Sequence, residues 1–113
     1  MSRQDADRLN DIIDAVEAIL GHLARGDLSD GLVYDAVRAR LIEIGEAVKG
    51  VSADLLATEP AIPWTAIARM RDHLTHRYFD TDHAIVRDVV DNEIGPLLQA
   101  ARSLLNRAAR DGM

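Results

Sequence analysis

The stretch IPWTAIARMRDHLTHRYFDTD, residues 62–82, decides how this chain is read. Pro63 suits the first turn of a helix, where the N–H it lacks would have no helical partner. The spacing predicts a helix from Pro63 to about Tyr78 or Phe79. At about 100° per residue, with Arg71 at zero, Ile67, Met70, Leu74 and Tyr78 gather between about 260° and 340°. That apolar stripe is a core face and calls for other helices to cover it. The run Asp80-Thr81-Asp82 is expected to break this helix and cap the next.

The flanking sequence supplies those partners. Residues 6–24 carry Leu9, Ile12, Ile13, Val16, Ile19, Leu20 and Leu23 at three- and four-residue steps, with Gly26 as a stop. A second helix is expected over about 30–48, opened by Ser29 or Asp30, carrying Leu32, Val33, Val37, Leu41, Ile44 and Val48, and ended by Gly50. Ser52–Leu56 suggests one helical turn before a loop with Pro60 and Pro63. The last helix is expected from about 82 to 109, kinked or divided at Gly95-Pro96. With 48% apolar residues, only 4% aromatic and no β-branched runs, the chain reads as all-α, a bundle of four to five helices forming one domain over residues 1–113.

Composition narrows the chemistry. There is no cysteine, so neither a disulfide framework nor a thiolate zinc site is available. No apolar run is long enough for a membrane span, and the charged N-terminus has no signal-like segment, so a cytoplasmic protein with no membrane partner is expected. The net charge of −6 argues against avid, sequence-blind nucleic-acid binding, which relies on clustered Lys and Arg. Locally the balance reverses: Arg69, Arg71 and Arg77, with His73 and His76, face only Asp72 within residues 69–77.

Reactive groups concentrate in Arg71-x4-His76-x-Tyr78. Metal-free RNA cleavage needs a base for the 2′-hydroxyl, an acid for the leaving 5′-oxygen and a cation on the phosphorane. Histidine titrates nearest working pH, and arginine offers a fork to phosphate oxygens. Arg71 and His76 lie about 140° apart in projection, too far to meet as neighbours on one helix. They flank a face of Ala68, Asp72 and Thr75, small or short residues that can accept a second helix at close range. If that helix belongs to a symmetry mate, both Arg–His pairs line one cleft. Asp72, four residues before His76, is placed to fix the imidazole tautomer. The blander reading is a solvated helix face. Trp64 reads as a packing anchor, His22 and His83 as surface residues. An alternative set of metal ligands (Asp72, His73, His76, Asp80, Asp82, His83) lacks the Glu-x-x-His pairs of metal-holding bundles, so no metal or other cofactor is expected.

Taken in order, Ile62-Pro63-Trp64, Met70-Arg71, His76, Tyr78 and Phe79-Asp80-Thr81-Asp82 resemble the HepT-like branch of the HEPN superfamily. The likeness extends more loosely to RLIEIGEAVKGVS in the second helix and to a long last helix interrupted near a proline. It implies an up-and-down helical bundle forming a two-fold homodimer. It implies a toxin with metal-independent endoribonuclease activity, its catalytic Arg71 and His76 lining a cleft between protomers and Asp72 in support. The partner implied is a nucleotidyltransferase antitoxin, which in some members adds AMP to the motif tyrosine, here Tyr78. Family members often carry Asn directly after the motif arginine. Asp72 keeps an acceptor for His76 but repels RNA phosphate. The rival expectation is a non-catalytic helical module that binds a nucleotidyltransferase.

Overall fold

A computed structural model describes residues 1–76 and 79–111, with side chains over 1–76 and 80–107. It is all-α. Among the described residues the order is α1 (Arg3–Leu23), α2 (Gly31–Lys49), α3 (Ala53–Leu56), α4 (Trp64–Thr75), α5 (Phe79–Asn92) and α6 (Ile94–Asp111). The count exceeds the expected four to five because the turn at α3 is helical and the last helix is divided. No helix among the described residues is long and apolar enough to cross a membrane.

Each boundary has a local cause. Ser2 starts α1 earlier than the apolar pattern indicates: its hydroxyl accepts from the Asp5 amide at 3.0 Å. Asp30 caps α2, accepting from the amides of Leu32 at 2.9 Å and Val33 at 3.4 Å, and Gly50 closes it. The Asp5 carboxylate joins the start of α1 to the α2–α3 connection, accepting from the amide and hydroxyl of Ser52, each at 2.9 Å. Burial raises the pKa of Asp5, but the hydrogen bonds from Ser52 and Ser2 outweigh it and hold the carboxyl below its ordinary value.

Three expectations change at the ends of α4, α5 and α6. First, α4 stops at Thr75, short of Tyr78 or Phe79. The Arg38 guanidinium donates to the Leu74 carbonyl, the acceptor a longer helix would offer to the amide four residues on. The His76 amide closes the end with a tighter bond to His73 O at 3.2 Å. Second, Asp80-Thr81-Asp82 does not precede α5 but forms part of its first turn, where acidic side chains face the positive end of the helix. Third, the break between α5 and α6 falls at Glu93, and Gly95-Pro96 lies inside the first turn of α6, where proline removes no helical hydrogen bond.

The core is one cluster. Leu9, Ile12, Val16 and Ile19 of α1 meet Val37, Leu41 and Ile44 of α2, all with no exposed surface. Ile67, Met70 and Leu74 of α4 are buried as expected, and Val86, Leu97 and Leu104 complete the cluster. Leu32 and Leu20, assigned to core stripes by spacing, are 81% and 48% exposed. Leu32 occupies the first turn of α2, where nothing covers it. The central element is α2, which packs against α1 on one side and against α4 and α5 on the other.

Candidate functional site

Trp64 anchors the motif helix. Its ring is buried, and its indole N–H donates to Glu59 O at 3.0 Å. The buried face of α4 lies against α2, which leaves Arg69, Asp72, His73, Thr75 and His76 exposed. Ala68 is half-buried and packs on the core.

Arg71 sits where α2 and α4 come closest. A Cβ on Gly45 would stand 2.6 Å from the Arg71 Cβ and 3.2 Å from Ile67 O, so only glycine permits this approach. The Arg71 side chain runs back across α2: Nε lies 2.9 Å from Glu46 Oε2, and Nη1 lies 3.3 Å from Asp72 Oδ1. The Nε–Glu46 contact is a close charge pair without hydrogen-bond alignment. Arg71 therefore reaches the edge of a cleft of about 500 Å³ between α1 and α2, beside Arg8, Asp11, Arg40, Glu43 and Glu46. Sequence spacing placed Arg71 beside the Ala68, Asp72 and Thr75 face. It gave no sign that the guanidinium would turn toward Glu46.

Asp72 acts through its backbone rather than its carboxylate. Its carbonyl contacts His76 Nδ1 and also accepts from the Thr75 hydroxyl at 3.0 Å. The carboxylate is engaged instead by Lys49 Nζ at 3.0 Å and by Arg71. The Lys49 hydrogen bond, with help from Arg71, holds the Asp72 carboxyl below its ordinary value. The expected pairing of the Asp72 carboxylate with His76 is replaced by a contact to the main-chain carbonyl, which any residue at position 72 would supply. His76 is the C-cap residue of α4 and is exposed. Arg77 and Tyr78, the latter the expected modification site, lie outside the described residues.

The other motif groups diverge. Among the described residues no cluster of three or more His, Asp or Glu side chains converges to hold a metal ion. His83, expected at the surface, is half-buried and stacks on Tyr34, with ring centroids 3.8 Å apart and planes 3° from parallel. Burial, aided by the Asp82 charge, pushes the Tyr34 phenol above its ordinary value. Asp82 is almost wholly buried beside Arg38. Sequence reasoning missed Gly45, Glu46, Lys49 and Arg38, because each meets the motif helix only through tertiary packing.

The profile of the Ribonuclease HepT-like family matches residues 9–104. The chain is similar to a protein of Thermococcus cleftensis named "Probable ribonuclease HepT", 38% identical over 101 residues that cover 86% of this chain and 92% of that one. It is also similar to a Methanocaldococcus jannaschii protein whose name marks it as a candidate RNase, 40% identical over 67 residues. That match covers 59% of this chain and about half, 55%, of the relative. A Caldanaerobacter subterraneus protein with a similar name is 29% identical over 81% of this chain and 82% of its own length. No solved structure gives a significant match. With most of its length matched, the chain belongs to the HepT-like ribonuclease family.

Proposed function

We propose that this chain is the endoribonuclease toxin of a toxin–antitoxin pair, cleaving RNA without a metal ion at a cleft between two protomers. The observation that carries the reading is the placement of Arg71 and His76 on one helix of a HepT-like ribonuclease, with the His76 ring oriented by the Asp72 carbonyl. A proton on Nδ1, directed at that carbonyl, makes Nε2 the basic nitrogen. One His76 takes the 2′-hydroxyl proton as the 2′-oxygen attacks phosphorus. Arg71 donates to the non-bridging oxygens as their charge grows. A second His76, from the other protomer, protonates the departing 5′-oxygen. The products are a 2′,3′-cyclic phosphate and a 5′-hydroxyl.

The test is RNA cleavage by the purified chain in EDTA, beside His76→Ala. Cleavage is expected to survive chelation, and the variant to be slower by on the order of 10²–10⁴, the usual worth of a positioned acid or base. Activity that returns only with a divalent metal would defeat the metal-free mechanism. The proposed partner is a nucleotidyltransferase antitoxin that adds AMP to Tyr78, giving the motif a phosphodiester charge that competes with RNA phosphate for arginine. Mass spectrometry of Tyr78 after co-expression decides that point.

A second reading is favoured by the two ion pairs of Arg71. The Arg71 guanidinium is already engaged by Glu46 and Asp72, which suits a helical module that binds a nucleotidyltransferase without cleaving RNA. That reading predicts a stable complex with the partner, no growth arrest on expression of the chain alone, and no effect of His76→Ala on either.

A further inference from the structure

The turn between α4 and α5 carries His76, and one side chain from a third helix spans it. Arg38 of α2 donates Nη2 to the carbonyl of Leu74, two residues before His76. Its Nε lies 3.8 Å from Asp82 Oδ2, in the first turn of α5. The guanidinium therefore joins the carbonyl end of α4 to the amide end of α5, a position where both helix dipoles favour the charges present. Tyr34, one turn earlier on α2, makes a second contact with α5 through its stack on His83. Tyr34, Arg38, Asp82 and His83 together line a cleft of about 650 Å³ between α2 and α5.

The Asp82 side chain is 3% exposed, and its Oδ1 has no hydrogen-bond partner among the described residues. A buried carboxylate with one oxygen unpartnered and the other 3.8 Å from a guanidinium is a poor way to hold two helices together, since apolar residues of similar size usually do it better. Its position has another use. From these contacts we infer that Arg38 and Asp82 are positioning residues, which fix the α4–α5 turn and so set the place of the His76 imidazole. This rests on the reading of His76 as the acid–base group, but its first consequence, the place of the ring, can be measured without any reaction. Neither residue touches the reacting atoms. Their effect is to hold His76 within the small displacement that proton transfer tolerates.

The experiment uses the full chain as Arg38→Ala and Arg38→Lys, with Asp82→Asn as the isosteric variant that keeps the shape of the buried group. Asp5→Ala serves as a control that loosens the far end of α1. Three readouts are taken: the NMR signal of the His76 ring at fixed pH, amide exchange across residues 74–82, and kcat and KM for RNA cleavage. Arg38→Ala and Asp82→Asn should move the His76 signal and speed exchange in the turn, whereas the control should do neither. In those two variants kcat should fall by on the order of 10–100-fold with KM nearly unchanged. Arg38→Lys, which keeps the charge but not the two-way fork, should fall between them and the wild type. An unmoved His76 signal in both Arg38→Ala and Asp82→Asn overturns the proposal, whatever happens to activity. If the wild-type chain cleaves no RNA, the proposed function fails while the ring signal and amide exchange still decide whether the turn is held in this way.

Discussion

Asp72 stands between two opposed requirements. Its backbone carbonyl contacts His76, while its carboxylate pairs with Arg71 and Lys49, the cations that RNA phosphate would need in the proposed mechanism. Asp72→Asn keeps the carbonyl and removes the competition. RNA binding should tighten by about two- to ten-fold, the modest range expected of exposed charges, and fluorescence anisotropy on an uncleavable RNA measures it. The pH dependence follows from the lowered pKa of Asp72. A depressed carboxyl is ionised above its ordinary value, and its ion pairs are lost only as pH falls through the lower folded value. The gain from Asp72→Asn should therefore be constant from about pH 5 to 8, with respect to this group. At this scale the sequence was a partial guide. Spacing put Asp72 beside His76 because a helix brings residues four apart together. Which atom of Asp72 makes the contact depends on Lys49, remote in sequence, and spacing carries no information about that.

At the scale of elements, the position of Arg71 depends on how closely α2 approaches α4. Gly45 is the point of approach, and an added Cβ would meet the Arg71 Cβ and the Ile67 carbonyl, neither of which is a flexible side-chain end. Gly45→Ala must push the helices apart. The cost should be about 1–3 kcal/mol, typical of overpacking, read as a lowered midpoint in urea. Cleavage should fall further than the lost folded fraction explains, because the shift moves Arg71 itself. Equal losses of folded protein and activity would mean that Arg71 tolerates the displacement. The apolar periodicity of α1, α2 and α4 was legible, since a helix must turn one stripe inward. The start of α5 was not. Asp80-Thr81-Asp82 looks like a breaker in isolation, and it becomes part of a helix because Arg38 offers Asp82 a buried partner. A close helix approach was expected at Ala68, Asp72 and Thr75; within this chain Asp72 and Thr75 are exposed, and the close approach lies instead between Gly45 of α2 and the Ile67–Arg71 side of α4. The glycine that permits it lies on α2, outside the motif.

At the scale of the molecule, the proposed activity asks a body with a net charge of −6 to gather RNA at a small basic site, where Arg71 is already shared with two carboxylates. A second copy would double the cations and imidazoles around one cleft, which is the physical case for a dimeric enzyme. In this chain Arg71 turns toward α2, while His76 caps the exposed end of α4. Mixing tests whether the site is shared. His76→Ala should be nearly inactive alone. If the cleft needs His76 from both protomers, only wild-type pairs cleave. Random pairing of equal amounts of wild type and His76→Ala makes a quarter of the dimers wild type, so the mixture should show about a quarter of the activity of an all-wild-type sample. If each protomer acts alone, about half remains. Light scattering on the same samples, at tens of micromolar, must show the mass of two chains. A monomeric mass alongside full wild-type cleavage would confine the reaction to a single protomer.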